Sequence, residues 1–219
     1  MSSDTQPASI REARNRILAE IGNRVTLVAA SKRQPDTRIA EALDAGQRVF
    51  GENRVQEAQQ RWADWLSRHE DLQLRLIGPL QTNKAEDAVR LFQVIETLDR
   101  EKLLRALVKA VEKTGMSPPD LLIQVNTGDE PQKGGVSVDE LANLVAATRE
   151  TYRGRLIGLM CIPPADEPAA PHFALLKRLA DEHQFAQVSM GMSGDYALAA
   201  RLGATHVRVG TALFGARET

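Results

Sequence analysis

Short apolar runs and longer amphipathic stretches alternate along the chain. The apolar runs are Val25–Ser31, Val49–Glu52, Leu74–Gly78, Val94–Leu98, Leu121–Asn126, Leu156–Ile162, Gln187–Gly191 and His206–Thr211. Most are rich in Val, Ile and Leu and lack strict polar alternation, the pattern of strands covered on both faces, as in a parallel sheet. The stretches between them repeat apolar residues at helical spacing. Ser137–Thr151 carries Val138, Leu141, Leu144, Val145 and Thr148 on one face and opens with Ser137 and Glu140, a capping-box pattern. Arg100–Thr114 aligns Leu103, Leu104, Leu107, Val108 and Val111 and stops at Gly115. Gly46 and Gly203 also follow helical stretches, where a left-handed C-terminal cap favours glycine. Asn53 with Gln56 predicts a further helix start.

Eight strands, seven with a helix after them, predict an α/β fold: a single-domain (β/α)8 barrel spanning residues 1–219. Strand starts recur 19 to 35 residues apart, and the chain lies at the short end of the fold's range of about 200 to more than 400 residues. An open doubly wound sheet is the competing arrangement, but eight regular units without a dinucleotide glycine fingerprint favour closure. Only Ala212–Thr219 follows the last strand, so the N-terminal stretch Ala8–Ile21 is expected to take the eighth helix's place. The proline-rich Pro163–Pro171 is expected to loop over the barrel mouth.

Composition narrows the function. Twenty-eight Lys and Arg face 29 Asp and Glu, for a net charge of −1, which argues against a nucleic-acid surface, since phosphate-backbone binding needs a positive excess or stripe. No apolar run approaches the roughly 20 residues of a spanning helix. The N-terminus has acidic residues and no apolar core, so a cytoplasmic location is expected. The one cysteine, Cys161, rules out a disulfide framework. The four histidines (His69, His172, His183 and His206) are too dispersed to read as zinc or iron ligands.

Active sites of such barrels lie at the C-terminal ends of the strands, with a phosphate site in the loops after strands seven and eight. Here those loops carry Gly191-Met192-Ser193 and Gly210-Thr211. The first precedes the helical stretch Gly194–Leu202, so its amides and the Ser193 hydroxyl can face an anion at a helix N-terminus. Equally, Ser193 can serve only as a helix cap. The first strand ends in Ser31-Lys32. A lysine after so apolar a strand is expected to be partly desolvated and nucleophilic, able to join an aldehyde; the alternative is a lysine that snorkels into solvent. Trp62 and Trp65 read as packing residues, and Cys161 as a small core residue.

At this point the motifs are specific. Val28-Ala29-Ala30-Ser31-Lys32, Phe50-Gly51-Glu52-Asn53, Ile77-Gly78-Pro79-Leu80-Gln81-Thr82-Asn83-Lys84, Gly158-Leu159-Met160, Ser189-Met190-Gly191-Met192-Ser193 and Val207–Arg217 span nearly the whole chain. The sequence resembles the pyridoxal 5′-phosphate (PLP) homeostasis proteins, single-domain relatives of the alanine racemase barrel domain. The resemblance implies that Lys32 carries PLP as an internal aldimine. It further implies that Ser193, Gly210 and Thr211 contact the phosphate, that Arg208 faces the pyridine nitrogen, and that Asn53 lies near the ring face or its 3′-oxygen. The chain departs from the family at Arg75, where histidine is frequent, and at Tyr196 in the Ser193-Gly194-Asp195-Tyr196 run; neither departure is expected to touch the cofactor residues.

The function implied is PLP binding in vitamin B6 and amino-acid homeostasis, by a monomer that passes cofactor to PLP-dependent apo-enzymes. The competing readings are a PLP-dependent racemase and a sugar-phosphate barrel without PLP. Negligible racemase activity is expected. Inverting a chiral carbon needs acid/base groups on both faces, and of the only two tyrosines, Tyr152 falls on the wrong side of the barrel and Tyr196 reads as a packing residue.

Overall fold

All eight apolar runs become strands: β1 Thr26–Ala30, β2 Val49–Glu52, β3 Gln73–Leu76, β4 Val94–Leu98, β5 Asp120–Gln124, β6 Leu156–Met160, β7 Gln187–Ser189 and β8 His206–Val209. The computed structural model describes residues 9–130 and 132–215. In it the strands pair in parallel and in chain order, and β8 closes on β1, from Thr26 opposite His206 to Ala29 opposite Val209. The expected (β/α)8 barrel is therefore formed. Around it lie α1 Ile10–Ile21, α2 Asp36–Asp44, α3 Val55–Arg68, α4 Ala85–Leu91, α5 Glu101–Thr114, α6 Val138–Thr151, α7 Ala169–Glu182, α8 Tyr196–Arg201 and the four-residue α9 Thr211–Phe214.

Helix ends follow local chemistry. The Ser137 hydroxyl accepts from the Glu140 amide at 3.3 Å, so the predicted cap of α6 is present. α5 buries Leu103, Leu104, Leu107 and Val111 and ends at Gly115 with φ 64°, the left-handed cap that glycine adopts without steric cost. α1 packs against α2, α8 and α9, filling the ring beside the short α9. Its predicted first residue, Ala8, lies outside the described residues.

Two boundaries differ from expectation. α3 starts at Val55, with Arg54 extended before it and no side-chain cap, rather than at Asn53. The Asn53 backbone is held elsewhere: a Cβ on Gly78 would sit 2.2 Å from the Asn53 carbonyl oxygen, so the loops after β2 and β3 are in backbone contact there. The Pro163–Pro171 segment is a loop only to Pro168; Pro171 falls in the first turn of α7, where a missing N–H costs no helical hydrogen bond. Pro163 and Pro164 are buried, and Pro164 lies against Gly128 of the loop after β5.

The main apolar core lies between barrel and helices. A smaller cluster of Val94, Leu122 and Met160 forms separately, with Ile157 against it. Among the described residues, no helix is long and apolar enough to cross a membrane.

Candidate functional site

Each proposed site residue sits at or just beyond the C-terminal end of a strand. Lys32 follows β1 and lines a cavity of about 250 Å³ with Arg33, Asn53, Arg54 and Glu57. The desolvation expected of Lys32 is not found. Its side chain is exposed, because β1 leaves the barrel at Ala30 and the chain turns at Arg33, which has φ 57°. What is buried is its support. The Ser31 hydroxyl donates to Glu52 Oε1 at 2.8 Å, Trp62 Nε1 donates to the same oxygen at 2.9 Å, and Arg61 donates to the Ser31 carbonyl at 3.1 Å. Ser31, Glu52 and Trp62 are fully buried, so the segment carrying Lys32 leaves the barrel from a fixed base.

The loops after β7 and β8 meet. Ser193 Oγ accepts from the Gly210 and Ala212 amides, each at 3.2 Å. Ser193 is therefore not the cap of α8, whose N-cap is Asp195 and whose first residue is Tyr196 rather than Gly194. Two backbone N–H groups from one loop thus donate to a hydroxyl of the other, which fixes that oxygen at one point and leaves the Ser193 O–H proton as the donor that can face an anion. Gly191 makes the approach possible. It has φ 90°, and a Cβ there would lie 2.5 Å from the Ala199 methyl, while its carbonyl accepts from the Arg208 amide at 2.9 Å. Gly210 lies against Ala30 at the end of β1, and Thr211 next to it is exposed. This point is thus beside the strand that carries Lys32.

Arg208, on β8 opposite Val28 of β1, is buried and held from two sides. Nη1 donates to Ser189 Oγ at 2.7 Å and Nη2 to the Cys161 carbonyl at 2.8 Å. Ser189 donates in turn to Glu96 Oε2 at 2.6 Å, and Arg75 Nε donates to Glu96 Oε1 at 2.5 Å. Arg75 also reaches Gln187 at 3.2 Å. Bonds from β3 and β4 to β7 join strands that are not neighbours, so this network crosses the barrel interior. Burial alone would raise the Glu96 pKa, but Arg75 and Arg208 together with the Ser189 and Arg75 hydrogen bonds hold it below the usual carboxylate range. Burial pushes the Cys161 thiol up to about 12, against the pull of Arg208 and Thr127, which leaves it a core residue and not a nucleophile.

Residues 8–218 match the family described as "Alanine racemase, N-terminal domain". The chain is 38% identical over 207 residues to the pyridoxal phosphate homeostasis protein of Escherichia coli, covering 89% of this chain and 86% of that protein. The chain belongs to the pyridoxal phosphate homeostasis protein family. A solved structure of a Synechococcus elongatus protein, PipY with PLP bound, superposes with a TM-score of 0.86 at 37% identity, over 94% of this chain and all of that one. The alanine racemase of Clostridium difficile shares the fold at 13% identity, with a TM-score of 0.74 over 96% of this chain and 57% of its own.

Within this pyridoxal phosphate homeostasis family member, the departure at Arg75 touches none of the proposed cofactor residues, as expected, but two intervening side chains, Glu96 and Ser189, join it to Arg208. The Tyr196 departure faces outward, its hydroxyl donating to Glu20 of α1 at 2.8 Å. Glu96 and Ser189 carried no role in the sequence reading. The signal was present: a charged residue inside an otherwise apolar strand must be paired, and Arg75, Glu96 and Arg208 are three such residues on β3, β4 and β8.

Proposed function

We propose that this protein binds PLP covalently at Lys32 and non-covalently through its phosphate, and that it holds and releases the cofactor as part of PLP and amino-acid homeostasis. The observation that carries the reading is the convergence of the Gly210 and Ala212 amides on Ser193, beside the strand bearing Lys32. The presence of PLP in the PipY structure supports it. When bound, PLP supplies an aldehyde that couples to an amine and a ring that withdraws electrons. Lys32 provides that amine. Ser193, Gly210 and Thr211 bind the phosphate, Asn53 contacts the ring or its 3′-oxygen, and Arg208 faces the pyridine nitrogen. A permanently charged guanidinium disfavours a second positive charge beside it, so Arg208 keeps the ring nitrogen unprotonated.

The same reading makes sustained turnover negligible. Racemisation needs a second acid/base group. The Tyr152 hydroxyl donates to the Pro119 carbonyl at 2.7 Å, before β5 begins, and Tyr196 is engaged by Glu20. Neither faces the mouth. Residues 1–219 act as one cytoplasmic domain, monomeric, with PLP-dependent apo-enzymes as recipients. Two measurements test this. Adding PLP to the purified protein gives a visible absorption band; no band contradicts PLP binding and favours a sugar-phosphate barrel. Deuterium exchange at the α-carbon of L-alanine, followed by chiral analysis, shows no sustained conversion; turnover to the D-isomer that is lost in Lys32→Ala favours the racemase.

A further inference from the structure

The Gly78–Lys84 motif is not used by the cofactor residues. Its Pro79, Leu80, Gln81 and Lys84, with Asn53–Gln56 and Arg100, line a groove of about 660 Å³ that adjoins the Lys32 cavity and shares Asn53 and Arg54 with it. That volume lies within the usual range of small-molecule sites, about 300–1,000 Å³. Its walls are fixed. The loops after β2 and β3 touch backbone to backbone at Asn53 and Gly78, and the buried Thr97 hydroxyl donates to the Gly78 carbonyl at 2.9 Å. Arg100 Nη2 braces the Leu80 carbonyl at 3.2 Å from the start of α5. Val55 and Leu80, both nearly buried, contribute its apolar part.

The charged residues lining the groove are Arg54, Lys84 and Arg100; no carboxylate lines it. Glu57 is 3.2 Å from Arg54 and Asp87 3.8 Å from Lys84, while Asp99 pairs with Arg100. Arg54 is engaged through Nη1 alone, whereas Arg100 uses Nη1 on Asp99 and Nη2 on the Leu80 carbonyl and offers the remaining N–H of each. One guanidinium fork, the remaining Arg100 N–H groups and one ammonium make a donor set matched to a phosphate dianion, with the Arg54 fork adding bidentate geometry. We infer that this groove is a second binding site, adjoining the cofactor pocket at Asn53 and Arg54, for a phosphate-bearing small molecule, and that its apolar part takes the body of a phosphate ester.

The test is isothermal titration with AMP, inorganic phosphate and succinate, on untreated protein and on protein whose lysines have been treated with PLP and borohydride. AMP binds both forms alike. Lys84→Gln and Arg100→Gln each weaken it about tenfold or more, while Lys84→Arg retains it. Circular dichroism verifies that each variant is folded. Inorganic phosphate binding as tightly as AMP identifies free phosphate as the ligand; tighter AMP identifies an ester. Succinate equal to phosphate overturns the phosphate assignment. Absent AMP and phosphate binding, unchanged affinity in the folded variants, or binding lost from protein whose pyridoxyl label maps to Lys32 and not to Lys84 overturns the second site. Failure of PLP to label the protein contradicts the cofactor reading but leaves the untreated arm intact.

Discussion

Arg208 reaches Glu96 through one hydroxyl: the guanidinium donates to Ser189 Oγ at 2.7 Å, and Ser189 donates to the Glu96 carboxylate at 2.6 Å. Glu96 is fully buried and also binds Arg75, so one anion serves two buried cations. Removing one partner from such a network leaves uncompensated charge in a medium that solvates it poorly. Glu96→Gln is therefore expected to destabilise the fold by about 3–5 kcal/mol, measured as a shift in the denaturant midpoint. A change below about 0.5 kcal/mol, the usual range of surface substitutions, would mean that the pair is not closed in solution.

His206, on β8, stands near the same network. Its pKa is pushed down to about 4 from the usual 6.5 by burial first, then by Arg75 and Arg208, against an opposing pull from Glu96. The folded protein therefore keeps this ring neutral where the unfolded chain binds a proton. A depressed histidine contributes stability that is full above the unfolded value and is lost as pH falls toward the folded one. Stability is expected to drop between about pH 6.5 and pH 4, and His206→Gln to lose less over that window than the unaltered chain. Parallel urea titrations near pH 7 and near pH 5 decide the matter, and equal losses in both proteins contradict it.

Gly191 occupies positive φ with no room for a side chain: an added Cβ would meet the Ala199 methyl at 2.5 Å and the Tyr196 Cα at 3.1 Å. Gly191→Ala is expected to cost about 1–3 kcal/mol from backbone strain alone, and more through the clash. Calorimetry gives the Tm. An unchanged Tm shows that the loop after β7 has an alternative conformation.

Most of the barrel is legible in the sequence, because a parallel sheet buried on both faces writes each strand as a short apolar run. Helix stops were legible wherever glycine alone fits, as at Gly115. The start of α3 was not: a long-range contact between Gly78 and Asn53 overrides the local capping pattern, and no window around Asn53 contains it. Lys32 was marked by its place at a strand end and Ser193 by its loop after the seventh strand, whereas the role of Arg208 was implied only by the family resemblance. Arg75 and Glu96 were harder, since a charge within a strand reads as a pairing problem without naming its partner. Only closure of the barrel brings β3, β4, β7 and β8 onto one interior.

Ser193, Gly210 and Thr211 are the proposed phosphate contacts, and the Gly210 and Ala212 amides hold the Ser193 oxygen in place. A hydrogen bond to a charged group contributes about 1.5–3 kcal/mol. Ser193→Ala combined with Thr211→Val is thus expected to weaken PLP by about tenfold or more while affecting pyridoxal, which lacks the phosphate, far less. Dissociation constants from absorption titrations check this. Equal weakening of both ligands places the phosphate elsewhere.

Covalent attachment at Lys32 is the central claim, and one measurement addresses it directly. The protein is incubated with PLP, reduced with borohydride, digested, and the pyridoxyl mass located by peptide mapping. The mass is expected on the peptide containing Lys32 and is absent from Lys32→Ala. Label on Lys84 or Lys133 with Lys32 unmodified, or no label at all, contradicts the account.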